Sequence, residues 1–193
     1  TLAATVAIPV TIVATAVVGG AVTEGAALEQ SIGGVETLFK ENASVVKANA
    51  DAAFKTAGLS ANEYMSQVTS FSASLLSSLG GDTAKAAEVA DMAMIDMADN
   101  ANKFGTDMES IQNAYQGFAK QNYTMLDNLK LGYGGTQEEM KRLLSDAEKL
   151  TGQRYDISSF ADITQAIHAI QTQMDITGTT AKEASTTISG SWG

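Results

Sequence analysis

Pro9 is the chain's single proline, so from Val10 to Gly193 no residue imposes the fixed φ and missing N–H that break a helix. Glycine does the punctuating instead: most of the 17 glycines stand in pairs or at segment ends, where they read as helix stops. Helix starts are marked as well. Ser60 with Glu63, Thr106 with Glu109, Thr136 with Glu139 and Thr180 with Glu183 follow the Ser/Thr-x-x-Glu capping-box pattern. Asp82 after Gly80-Gly81 and Ser159 before Ala161-Asp162 are further N-cap candidates. The pattern predicts an all-α chain of several short amphipathic helices, roughly 15–25 residues each, with glycine breaks. Only Val10 to Val18 carries enough β-branched residues to compete as a strand.

Composition says how such helices pack. Apolar residues make up 45% but aromatics only 6%, so Ala, Met and other small side chains must supply thin layers with helices in close approach. Between Thr83 and Phe104, Val89, Met92, Ala93, Met97 and Ala101 sit among Glu88, Asp91, Asp96 and Asp99, and Asp99 precedes Lys103 by four residues, a favourable helical pair. Met92, Met94 and Met97 are expected in the core rather than on an adaptable binding face. Ile163, Ile167, Ile170 and Met174 form one helical stripe, and Met140, Leu143, Leu144 and Leu150 form another. Stripes of this kind need partner surfaces, and neighbouring copies in an oligomeric bundle are expected to supply part of them.

Most chemistry is excluded by residue type. A net charge of −10 argues against direct nucleic-acid binding, which depends on Lys and Arg neutralising phosphates. With no cysteine and one histidine, a zinc site of the usual kind cannot be assembled. Asp96, Asp99 and Asp107 lack the glycine and closing Glu of a calcium loop. Leu131-Gly132-Tyr133-Gly134-Gly135-Thr136 precedes a helix, as phosphate loops do, but no lysine occupies the required position. His168 falls with Thr164, Gln171 and Asp175 on the polar side of its helix, away from the isoleucines, and reads as a solvated surface residue. No Gly-x-Ser-x-Gly elbow accompanies it. Glu138-Glu139 sit at a helix start, where they complement the dipole. No cofactor and no enzymatic activity are expected.

The stretch from Thr1 to Val22 is free of charge, and Glu24 is the first charged residue. Its length suits a bilayer-spanning helix of roughly 20 residues, although Gly19-Gly20 is expected to end or loosen it. Three readings are open: a helix buried in an oligomeric bundle, a segment entering a membrane at one stage only, and a permanent anchor. No flanking Lys, Arg, Trp or Tyr marks an interface for the last. Leu2, Val6, Ile8, Val10, Ile12, Val13, Val17 and Val18 are the candidate membrane-contacting residues. The chain divides into an apolar segment, 1–27, and a helical region, 28–193. Starting at Thr1 without methionine and stopping at Ser191-Trp192-Gly193, it reads as an internal piece of a longer protein.

Several blocks carry a family likeness. They include Ser31-Ile32-Gly33-Gly34-Val35-Glu36-Thr37-Leu38-Phe39, the run from Tyr64-Met65-Ser66 to Leu75-Leu76, and Leu79-Gly80-Gly81-Asp82-Thr83 with Ala90-Asp91-Met92-Ala93-Met94. The most distinctive is Asp96-Met97-Ala98-Asp99-Asn100-Ala101-Asn102-Lys103-Phe104-Gly105-Thr106. It continues through Ile111-Gln112-Asn113-Ala114-Tyr115-Gln116-Gly117-Phe118, Asn122-Tyr123-Thr124-Met125-Leu126-Asp127-Asn128-Leu129 and Leu131 to Thr136. Met174 to Ala184 adds a last block. From about Leu28 onward the chain resembles tail tape measure proteins of long-tailed phages and prophages of Gram-positive hosts.

The resemblance implies a structural virion component in the tail-tube lumen or tail tip that sets tail length and leaves ahead of the DNA. It further implies self-association as a trimer, contact with tail-tube and tail-tip or baseplate proteins, and contact with the host membrane during ejection. The short capped helices fit a role at that membrane better than the ruler, for which sustained heptads are expected. The alternatives are an acidic helical module docking tail-tip or baseplate proteins with no membrane role, and a cell-wall hydrolase of the kind some such proteins carry elsewhere.

Overall fold

The computed structural model describes residues 19–176 and residue 180, with side-chain detail from residue 28 onward. Among these residues every regular element is helical: α1 (Gly19–Phe39), a 3-10 turn (Lys40–Asn42), α2 (Ala43–Ala57), α3 (Ala61–Ser78), α4 (Thr83–Phe104), α5 (Met108–Ala119), a second 3-10 turn (Leu126–Leu129), α6 (Gln137–Thr151) and α7 (Phe160–Gln173). The expected boundary between residues 27 and 28 falls inside α1. Val10 to Val18 lies outside the described residues.

Local chemistry sets the element ends. Ser60 and Glu63 form the full capping box of α3: Glu63 N donates to Ser60 Oγ at 3.1 Å and Ser60 N to Glu63 Oε2 at 2.9 Å. Asp82 caps α4 and Ser159 caps α7, each accepting the amide three residues on. Thr136 accepts from Glu139 N, but the Glu139 carboxylate turns away to Gly134 N and to Arg142, whose guanidinium also lies 4.3 Å from the Tyr133 ring centre. Arg142 and the Gly134 amide hold the Glu139 carboxyl down at about 2. Thr106 does not cap as expected, because the N-cap of α5 falls one residue later, at Asp107, whose side chain makes no cap bond. Glu183, the partner expected for Thr180, lies outside the described residues.

Glycine ends α2, α4 and α6, where Gly58, Gly105 and Gly152 take left-handed φ of 68°, 66° and 76°. Gly80 and Gly81, with φ of 66° and 85°, likewise follow the end of α3, where Gly81 N donates to Leu76 O at 2.8 Å. Gly19 and Gly20 are the first residues described in α1, and the stretch they were expected to end lies outside the described residues. Gly34 lies inside α1, where a Cβ would meet Thr69 Cγ2 of α3 at 3.2 Å, so its absence allows the two helices to pack closely.

Helix α4 is the hub, packing against α1, α2, α3, α5 and α7, while α6 packs on α7. Its burial explains its alanines: Ala86, Ala87, Ala90, Ala93, Ala98 and Ala101 are inside, and small side chains on several faces admit neighbours all round. Met94 and Met97 are fully in the core and Met92 partly so, as expected. The few aromatics are placed where volume is needed: Phe39, Tyr64, Phe71, Tyr115 and Phe118 are among the largest fully buried side chains. Ile163, Ile167 and Ile170 of α7 and Met140, Leu143 and Leu144 of α6 are buried as their spacing predicts. Leu150 and Met174, assigned to the same stripes, are 45% and 42% exposed. Leu150 sits in the last turn of α6 and Met174 is the C-cap of α7, each at the end of its stripe.

Candidate functional site

The polar residues of α4 and α7 meet in the interior. Asp96, Asp99, Asn100, Thr164 and Gln171 are all fully buried. The spacing along α4 gave no sign that Asp96 and Asp99 lie inside. Asp99 is not a surface partner of Lys103; it accepts the backbone N–H of Thr180 at 2.9 Å.

His168 is likewise not a solvated surface residue. Its Nδ1 lies 2.9 Å from Asp96 Oδ2 and 3.1 Å from Oδ1, with the histidine side chain 37% exposed and the aspartate 1%. With a carboxylate as the acceptor, Nδ1 carries a proton in both protonation states, and Nε2 is the position that titrates. The hydrogen bond to Asp96 raises the imidazole pKa above its ordinary value; burial opposes the rise, and the Asp96 and Asp99 charges add to it.

Around this pair the network is continuous. Gln171 Nε2 donates to Asp96 O at 3.1 Å, and Asn100 Nδ2 donates to Gln171 Oε1 at 2.8 Å and to Leu129 O at 2.9 Å. Four connections thus join α4, α7 and the second 3-10 turn: the two Asn100 bonds, the Gln171 bond and the His168–Asp96 pair. Tyr115 of α5 is wholly buried near Asp96; burial, then the Asp96 charge, hold its phenol protonated. Its Oη has no hydrogen-bond partner, and neither does Asn100 Oδ1.

His168 faces a cleft of about 570 Å³ lined by Lys85, Val89 and Met92 of α4, Leu150 of α6, Tyr155 beyond α6, and Ala169 of α7. Among the described residues, no Ser or Thr hydroxyl hydrogen-bonds to the imidazole ring, and no cluster of three or more His, Cys, Asp and Glu is arranged to hold a metal ion. What the arrangement can do is hold an imidazole in one orientation and let it exchange a proton with the cleft.

The candidate membrane-contacting residues Leu2, Val6, Ile8, Val10, Ile12, Val13, Val17 and Val18 lie outside the described residues. Among the described residues no helix is long and apolar enough to cross a membrane; α1 takes in the end of the apolar run but continues past Glu24 and Glu29. The most exposed large apolar side chain described is Phe54, at 75%, on α2 with the half-exposed Val45.

Fold and site together define a helical packing unit with an internal polar network. No protein-family model matches the chain, and no curated protein or solved structure matches it either.

Proposed function

We propose that the chain is a structural segment of a tail tape measure protein, carried in the tail-tube lumen or tail tip and released during DNA ejection. One observation carries the reading: the longest run of resemblance coincides with the heart of the packing. Asp96, Asn100, Ile111, Tyr115, Phe118, Tyr123, Leu126, Leu129, Leu131 and Tyr133 all belong to that run and all are buried. That run supplies core side chains from α4, α5 and the segment after it, and a packed helical core of this kind suits a structural component.

Within such a protein this segment is a folded portion rather than the ruler. A ruler gains about 1.5 Å of length per helical residue, whereas these helices turn back on one another at glycine caps. Self-association as a trimer, contact with tube and tip proteins, and help in crossing the host membrane through the segment before residue 28 belong to the same proposal.

The test is an in-frame deletion of residues 28–176 from the full-length gene, read by electron microscopy and infectivity of the particles. Defective ejection is expected, with any shortening of the tail far below about 1.5 Å per deleted residue. Normal tails with full infectivity would reject the proposal.

The exposed Phe54 and Val45 favour a second reading, an acidic helical module docking tail-tip or baseplate proteins with no membrane role. Liposome flotation of the chain with and without residues 1–22 separates the two. Binding that depends on those residues supports the membrane role, and equal, negligible binding supports docking.

A further inference from the structure

The His168–Asp96 pair occupies an unusual place in the architecture. α7 bridges the C-terminal part of the fold to the rest: it packs on α4, α3 and α5, and α6 packs on it. At the α4–α7 contact the Asp96 carboxylate is out of water, and a buried carboxylate is costly unless a cation and hydrogen bonds compensate it. His168 supplies both, but it supplies the positive charge only while protonated.

We propose that the His168–Asp96 pair is a protonation-dependent latch that clamps α7, and α6 with it, onto α4. With the imidazole protonated, an ion pair spans the contact. With it neutral, Nδ1 still donates a hydrogen bond, the positive charge that His168 brings to Asp96 is lost, and the α6–α7 pair opens from α4 more readily.

The direction follows from the surroundings. Asp96 and Asp99 on α4 favour the protonated imidazole; Lys85 and Glu88 of α4 and Tyr155 beyond α6 line the cleft that it faces, Tyr115 of α5 lies near Asp96, and Asp175 follows α7. A pKa raised in the closed state gives stabilisation that is complete below the ordinary histidine value and lost as pH rises through the raised one. The latch therefore loosens on the alkaline side. This inference does not depend on the tail role proposed above.

The chain has one histidine, so a single imidazole resonance reports its titration without ambiguity. The experiment pairs that NMR titration, on the full chain, with hydrogen exchange of α7 and α6 amides between about pH 6 and about pH 9, corrected for intrinsic exchange. Linkage ties the two: α7 protection is expected to fall about tenfold for each unit by which the imidazole pKa is raised. His168→Gln, which keeps a donor for Asp96 without a charge, is expected to show α7 protection independent of pH over that range.

An imidazole titrating at or below its ordinary value would overturn the latch. So would an equal pH dependence of α7 exchange in His168→Gln. If that variant fails to fold, the wild-type comparison decides alone: a raised pKa without the matching loss of α7 protection refutes the proposal.

Discussion

Replacing Asn100 with alanine tests the internal network where it is most concentrated. The amide nitrogen of this fully buried side chain donates to Leu129 O at 2.9 Å and to Gln171 Oε1 at 2.8 Å. Alanine removes both donors while leaving both acceptors inside the protein. Each stranded polar group costs about 1–3 kcal/mol, so the pair is expected to cost about 2–6 kcal/mol before any cavity is counted. In a chain of this size that corresponds to a fall in Tm of about 2–4 °C for each kcal/mol. Urea unfolding followed by circular dichroism gives the free energy directly, provided the slope m is unchanged.

Asn113→Ala, at an exposed position on α5, is the matched control and is expected to change stability by less than about 0.5 kcal/mol. The double variant Asn100→Ala/Gln171→Ala is expected to cost less than the sum of its parts, because the two side chains share a bond. A cost below about 1 kcal/mol for Asn100→Ala, or strict additivity, would refute the reasoning.

Other substitutions probe separate features. Tyr115→Phe removes a buried hydroxyl that has no partner, so stability is expected to hold or rise by up to about 1 kcal/mol in the same unfolding assay; a loss above about 1 kcal/mol would mean the hydroxyl is satisfied in solution. Gly135→Ala would place Cβ 2.2 Å from the backbone oxygen of Thr124 and is expected to cost about 3 kcal/mol, whereas at Gly134 the nearest atom is Glu139 Cγ at 3.6 Å and a cost under about 1 kcal/mol is expected. Ser60→Ala opens the α3 capping box and is expected to cost about 1 kcal/mol, seen as a small drop in Tm.

Helices and their ends were the legible part of this fold, because they depend on neighbours along the chain. A proline-free run, left-handed glycines at 58, 105 and 152, and caps at Ser60, Asp82, Thr136 and Ser159 need no tertiary information. The site was not legible, for a physical reason: Asp96 and His168 are 72 positions apart and meet only through the α4–α7 packing. Single-helix periodicity assigns Asp96 and Asp99 to a polar face and has no means of showing that the face is covered. One signal was present. Thr164, His168 and Gln171 recur at helical spacing beside the isoleucine stripe, and α4 has alanines on several faces, so each helix offers a second contact surface. Leu150 and Met174 fail in the opposite way: their spacing is right, but each stands at the end of its helix and stays partly exposed.

The central claim, that this chain is a structural part of a tail and leaves it during ejection, is tested most directly by quantitative mass spectrometry of purified particles before and after triggered DNA release. Peptides of this chain are expected in intact particles at a fixed ratio to the tube protein, and to be depleted from the emptied tails. Their absence from intact particles, or their full retention after release, would contradict the account.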